Sequence, residues 1–163
     1  MTPPMRWPNL VSPGLEAFDI DAPSDWRAIE LPTALLAFLG PEADGFRPNL
    51  VIFGERLPDE ITLDEVADRT LDDVGSDTVT TPLADAEIKT ADMRPLTLRE
   101  SITVIDGFTL RRLIMATEMP TRSPGGLRSV FVLVATHLRA RPSDGDVLTS
   151  TIASFRPIHG PSD

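Results

Sequence analysis

Residues 98–119 read LRESITVIDGFTLRRLIMATEM, two apolar runs joined by Asp106-Gly107. Asp-Gly supplies the two left-handed residues that a two-residue hairpin turn needs, so the flanking runs are predicted to pair as neighbouring antiparallel strands. Downstream, PTRSPGGLRS (120–129) reads as a second turn. It leads into VFVLVATHL (130–138), apolar on both faces as a central strand covered on two sides must be.

Working upstream, NLVIFGERL (49–57) alternates with period two. Asn49, Val51, Phe53 and Glu55 fall on one face, and Leu50, Ile52, Gly54 and Arg56 on the other. GLEAFDIDAP (14–23) alternates Phe18 and Ile20 with Asp19 and Asp21, and WRAIEL (26–31) and TALLAFLG (33–40) read as further strands between Pro and Gly punctuation. From Thr62 the period changes. Leu63, Val66, Ala67, Leu71 and Val74 recur at steps of three and four, which puts them on one helix face. Thr62 with Glu65 gives a capping box and Gly75 a stop, so a helix is predicted over 62–75. A strand is expected at DAEIKTAD (85–92), and a second helix over 144–156, where Leu148, Ile152 and Phe155 share a face.

Hairpins between neighbouring strands, with helices set among them, define an α+β domain: a single antiparallel sheet with flanking helices. Its predicted core is Phe18, Trp26, Leu36, Phe38, Leu50, Ile52, Val66, Leu71, Ile114, Val132, Val134 and Phe155. At 163 residues and 41% hydrophobic content the chain suits one domain, over 15–157. Residues 1–14, with Trp7, and 158–163 are rich in Pro, Gly and Ser and are predicted to be flexible.

Composition narrows the chemistry. A net charge of −10 repels phosphate backbones and anionic lipid, so no nucleic-acid partner is expected. With no cysteine there is no disulfide, no thiolate nucleophile and no acyl-anchoring thiol. The first residues, MTPPMRWPNLVSPG, hold no apolar run of signal-peptide kind, and no stretch is long enough to span a bilayer. Neither a membrane span nor a lipid anchor is expected; the default location is cytoplasmic, with signal-independent export left open.

The most concentrated charge lies on the 62–75 helix. Asp64, Asp68 and Asp72 are spaced by four and form a stripe, with Glu65 and Asp73 flanking Arg69. A cation site needs further loop oxygens, and neither a DxDxDG pattern nor a companion His is present, so no metal is expected. The plain reading is the solvated face of an amphipathic helix, with Glu65 pairing with Arg69 four residues on. The functional reading is a surface for a basic partner, carried by Asp64, Asp68, Asp72 and Asp73. Of the two histidines, His137 falls within the central strand and reads as a ring satisfied locally or by water, and His159 lies in the tail. No GxSxG elbow positions a serine, and SPGGLRS (123–129) has no Lys for a phosphate loop, so neither catalytic nor cofactor-binding residues are assigned. Arg111 and Arg112 are adjacent on a strand and face opposite ways, so one needs an acid partner, with Glu118 or Asp92 in range.

FDIDAPSDW (18–26), FRPNLVIFGERL (46–57) followed by TLDEVADRTLDDV (62–74), IDG (105–107) and LTSTIASFRP (148–157) together resemble the PsbP-like superfamily. Within it the layout resembles the LpqN/LpqT lipoprotein family of bacteria, over roughly residues 15–157. The resemblance implies a small binding module rather than an enzyme, and a role linked to export or the cell envelope. It departs from the lipoproteins in lacking a signal peptide and a Cys. The expected function is therefore a non-enzymatic adaptor for a protein partner. Two alternatives stand: a chaperone resembling the Eag type, with an open apolar sheet face, and a small hydrolase using carboxylates drawn from Asp19, Asp21 and Glu55.

Overall fold

The alternating runs become strands and the three-four run becomes a helix. A computed structural model describes residues 4, 6, 13–75, 80–83 and 94–158; Trp7, Asp92, His159, the strand expected at 85–92 and the side chain of Val74 lie outside what it describes. In chain order the elements are β1 (Phe18–Asp19), β2 (Arg27–Ile29), β3 (Leu36–Leu39), β4 (Asn49–Pro58), α1 (Leu63–Gly75), β5 (Thr80–Leu83), β6 (Leu96–Ile105), β7 (Phe108–Glu118), β8 (Leu127–Leu138), α2 (Pro142–Ala153) and β9 (Arg156–Pro157).

Among the described residues seven strands form an antiparallel sheet in the order β2-β3-β4-β8-β7-β6-β5. Asp106 and Gly107 turn β6 into β7 with φ of 49° and 82°, the left-handed pair that the dipeptide was read to supply. β8 lies at the centre, and every residue from Arg128 to Leu138 is buried. Its alternation divides the core into two layers. Phe131, Leu133 and Ala135 join Leu50, Ile52, Leu98 and Met115 on one face, under Leu148 and Ile152 of α2 and the adjoining Phe155. Val130, Val132 and Val134 join Leu57, Ile114 and Ala116 on the other, under Val66 and Ala67 of α1. The helices therefore cover opposite faces, which is why β8 has no polar side. Of the predicted core, Phe18, Trp26, Leu36 and Leu71 are only partly buried, because they sit at the margins of these layers.

The start of α1 is a closed capping box. The Thr62 N–H donates to Glu65 Oε2 at 2.7 Å and the Glu65 N–H to Thr62 Oγ1 at 3.1 Å. Because Glu65 is committed to the cap, the expected Glu65–Arg69 pair gives way to one between Arg69 and Glu55 of β4, at 2.7 Å. α2 begins two residues earlier than expected, at Pro142, whose missing N–H costs nothing in a first turn. Its hydroxyl residues are accommodated by bonding back: Thr151 Oγ1 donates to Val147 O at 2.9 Å and Ser154 Oγ to Thr151 O at 2.6 Å.

α2 also ends earlier than expected, because Arg156 and Pro157 leave it to pair with β1. This two-stranded ribbon corrects the expectation of a single sheet. It is held by Ile158 N–H to Ala17 O at 2.7 Å, by Asp21 N–H to Ser154 Oγ at 2.8 Å, and by Arg156 on both carboxylate oxygens of Asp21 at 3.1 and 3.3 Å. The hydrogen bond from Arg156, reinforced by its charge, holds the Asp21 carboxyl below the usual aspartate range. A depressed folded-state pKa means the pair contributes fully above about pH 4, the ordinary aspartate value, and is lost as the pH falls through the depressed value. Amide exchange measured across that window is expected to show loosening of Ala17–Asp21 and Arg156–Ile158 in acid, and Asp21→Asn to abolish the pH dependence.

Among the described residues Arg128 is the arginine that the alternation of β8 carries into the core, being only 3% exposed. It donates to Glu118, at 19% exposure, and to the carbonyls of Pro58, Leu57 and Ile61, tying β8 to the β4–α1 connection. Glu118 is thereby committed and Arg111 takes Glu100 of β6, while Asp92, the other acid in range of the Arg111-Arg112 pair, lies outside the described residues.

Candidate functional site

The acidic helix face is built partly from sheet contacts. Arg99 of β6 projects toward α1, donating Nε to Asp68 Oδ1 at 2.8 Å and Nη2 to Asp64 Oδ1 at 3.1 Å. Thr97 adds a hydroxyl to Asp64 at 3.1 Å. The Asp68 hydrogen bond, with a smaller contribution from Asp64, raises the Arg99 pKa against the opposing effect of burial. Two members of the stripe thus dock the helix, yet Asp64 and Asp68 remain 68% and 60% exposed and open to a further partner. Asp72 and Asp73 are exposed at the C-terminal end of α1, which has no basic residue in its last turn to meet the helix dipole. Asp73 borders a groove of about 340 Å³ between α1 and β4, with Phe53 and Val132 in its floor and Glu55 and Arg69 at its rim.

Of the carboxylates weighed for a hydrolase, Glu55 is set apart from Asp19 and Asp21. Glu55 projects to the α1 side, where Arg69 holds it. Asp19 and Asp21 belong to the ribbon on the α2 side, where Phe18 packs on Phe131 and Phe155. A pair that works on one glycosidic bond stands about 5–10 Å apart with the bond between; the sheet lies between Glu55 and the two aspartates, which both lie near Arg156. Among the described residues no group of His, Asp and Glu is placed to hold a metal ion.

A second site lies where the strands' ends meet α2. Glu100, Arg111, Leu113, Ala135, His137, Gly145, Asp146, Leu148 and Thr149 line a cavity of about 210 Å³. Alternation puts Glu100, Arg111 and His137 on the α2 face, and the diagonal register of β6 against β7 brings Arg111 Nε onto Glu100. That hydrogen bond raises the Arg111 pKa. His137 is 8% exposed, and its Nδ1 lies 2.7 Å from Leu138 O, the local satisfaction expected for it. The sequence carried one signal for this cavity, a glycine inside α2. Gly145 packs on the imidazole so closely that a Cβ there would stand 2.8 Å from His137 Nε2.

Fold and surfaces together define an antiparallel α+β domain with an LpqN-like fold. Its structure is similar to the crystal structure of LpqN from Mycobacterium tuberculosis, with a TM-score of 0.69 and 17% identity over 89% of this chain and 85% of that one. LpqN is described as involved in cell envelope biogenesis. A structure from Bacteroides thetaiotaomicron VPI-5482 is similar at a TM-score of 0.54 and 14% identity, over 87% of this chain and 45% of that chain. No protein-family model and no curated protein matches the sequence. Among the described residues no helix is long and apolar enough to cross a membrane.

Proposed function

We propose that this protein is a non-enzymatic adaptor of the LpqN/LpqT type within the PsbP-like superfamily, that its partner is a basic protein surface, and that its work lies in cell-envelope biology. The observation that carries the reading is the outer face of α1. Five carboxylates and one arginine occupy a single helix, which is anchored by Val66, Ala67 and the Arg99 clamp and so presents its charge on a rigid support. Such a field steers a basic partner and is screened by salt. The envelope context comes from the similarity to LpqN.

The sheet edges favour recognition through a face. β2 is three residues long between Pro23 and Pro32, and β5 contains Pro82, which has no N–H to donate to an added strand. Among the described residues the large exposed apolar side chains belong to the β2–β3 connection (Leu31 and Leu35), β6 (Val104), α2 (Val147) and the residue after β9 (Ile158), which speaks against the one contiguous groove that a chaperone for an apolar helix requires.

The immobilised protein is expected to retain its partner at low ionic strength and release it by roughly 0.5 M salt. Asp72→Asn with Asp73→Asn is expected to weaken retention. Arg99→Gln is expected to strengthen it, because Asp64 and Asp68 are released while Val66 and Ala67 still hold the helix to the sheet; stability is expected to fall by about 1 kcal/mol, since both carboxylates stand largely in solvent. Salt-insensitive retention of a membrane-helix protein would instead support the chaperone.

A further inference from the structure

We propose that the cavity between α2 and the ends of β6, β7 and β8 is a binding site for a primary ammonium group, carried by a small amine or by a lysine side chain. The inference is independent of the acidic face of α1, which lies across the sheet.

The cavity is acceptor-rich. With Nδ1–H donated to Leu138 O, a neutral imidazole turns the Nε2 lone pair toward Gly145, on the cavity wall. That nitrogen belongs to a side chain more than nine-tenths buried and has no protein partner among the described residues. Glu100 accepts Arg111 Nε through Oε1, leaving Oε2 for a ligand. Asp146, exposed on the rim, has no ion-pair partner among the described residues. Against these acceptors stand the terminal nitrogens of Arg111 and the Thr149 hydroxyl.

Charge and size then select the ligand. Two carboxylates outnumber one guanidinium, in a chain of net charge −10, so an anion is repelled and a cation attracted. An ammonium presents three N–H donors on a compact head, matching the acceptors that Glu100, Asp146 and His137 contribute to the lining. Leu113, Ala135 and Leu148 offer an apolar wall to the methylenes behind it. At about 210 Å³ the space exceeds the ~150 Å³ that accommodates a benzene ring in an engineered cavity, so an aminoalkyl chain end fits. Gly145 also acquires a reason: glycine costs a helix interior about 1 kcal/mol relative to alanine, and here a methyl group would press on the imidazole and narrow the cavity.

The test is a two-dimensional amide NMR titration of the full chain with 1,4-diaminobutane and, separately, with Nα-acetyl-lysine amide. 1-Butanol, Nα-acetyl-norleucine amide and inorganic phosphate serve as controls. Saturable shifts of Glu100, His137, Gly145 and Asp146 at millimolar or lower concentration, absent with the controls, are expected. Tighter binding of the diamine identifies a free small molecule as the ligand type, and tighter binding of the lysine amide a protein side chain. Asp146→Asn, on the exposed rim, is expected to weaken binding about tenfold or more through loss of a charge-assisted hydrogen bond. Gly145→Ala is expected to abolish it while the fold persists. No saturable shift, equal shifts with the neutral analogues or phosphate, or unchanged binding in both variants would overturn the proposal.

Discussion

Replacing Arg128 with methionine is expected to lower the free energy of unfolding by about 3–5 kcal/mol, the range for breaking a buried ion pair from one side. The guanidinium is 3% exposed and spreads its donors over Glu118 and the carbonyls of Leu57, Pro58 and Ile61. Methionine fills comparable volume but leaves a largely buried carboxylate without its countercharge and strips the β4–α1 connection of its donors. Each unmet group costs about 1–3 kcal/mol, reduced where water reaches the loop. Arg128→Lys is expected to recover only part of the loss, since one ammonium cannot reproduce a planar fork toward a carboxylate and three carbonyls. Replacing Arg128 and Glu118 together by apolar residues is expected to destabilise less than Arg128→Met alone, because the orphaned charge goes with its partner. Urea denaturation of the four proteins checks this; equal losses for the single and double variants would mean that Glu118 is hydrated rather than paired.

Phe131→Ala is expected to cost a further about 3–5 kcal/mol, as for buried aromatic truncations generally. Phe131 is fully buried on the α2 face of β8, opposite Gly54 of β4. Its ring meets Phe18 edge-on at 5.8 Å and Phe155 at 5.4 Å, and those two rings lie 5.0 Å apart. Phe18 belongs to β1 and Phe155 precedes β9, so truncation removes core volume and undermines the ribbon together. The expected signature is lost exchange protection at Ala17–Asp21 beyond the global destabilisation. A double-mutant cycle between Phe18 and Phe131 is expected to show coupling of roughly 0.5–1.5 kcal/mol, the worth of an aromatic pair beyond its area. Independent, additive losses would remove the ring contact as the link.

What was legible in the chain were features whose cause is local. Asp106-Gly107 reads as a turn because few residues tolerate two consecutive positive φ angles, and it is one. Thr62 and Glu65 close a capping box because both partners lie within one helical turn. The apolar run of β8 reads as a central strand because only a strand covered on both faces dispenses with polar residues, and it lies fourth of seven. The acidic stripe was visible too, but its clamp on Arg99 was not, since Asp64 and Arg99 are brought together only when α1 folds back across β6.

The determined part is thus the sheet strands β2, β3, β4, β6, β7 and β8, their antiparallel sense, the capped helix and the surplus of negative charge, all of which follow from spacing within a few residues. Tertiary structure alone decided the rest. The pairing of β1 with β9 is one such feature: β9 has two residues, too few for any period, and the two segments meet where Phe18 and Phe155 converge on Phe131. Arg128 looks like any surface arginine until the β4–α1 connection closes over it. The cavity at His137 requires Glu100, Arg111 and Asp146 from three elements, and a one-dimensional pattern carries no information about which side chains of distant strands and helices share a wall.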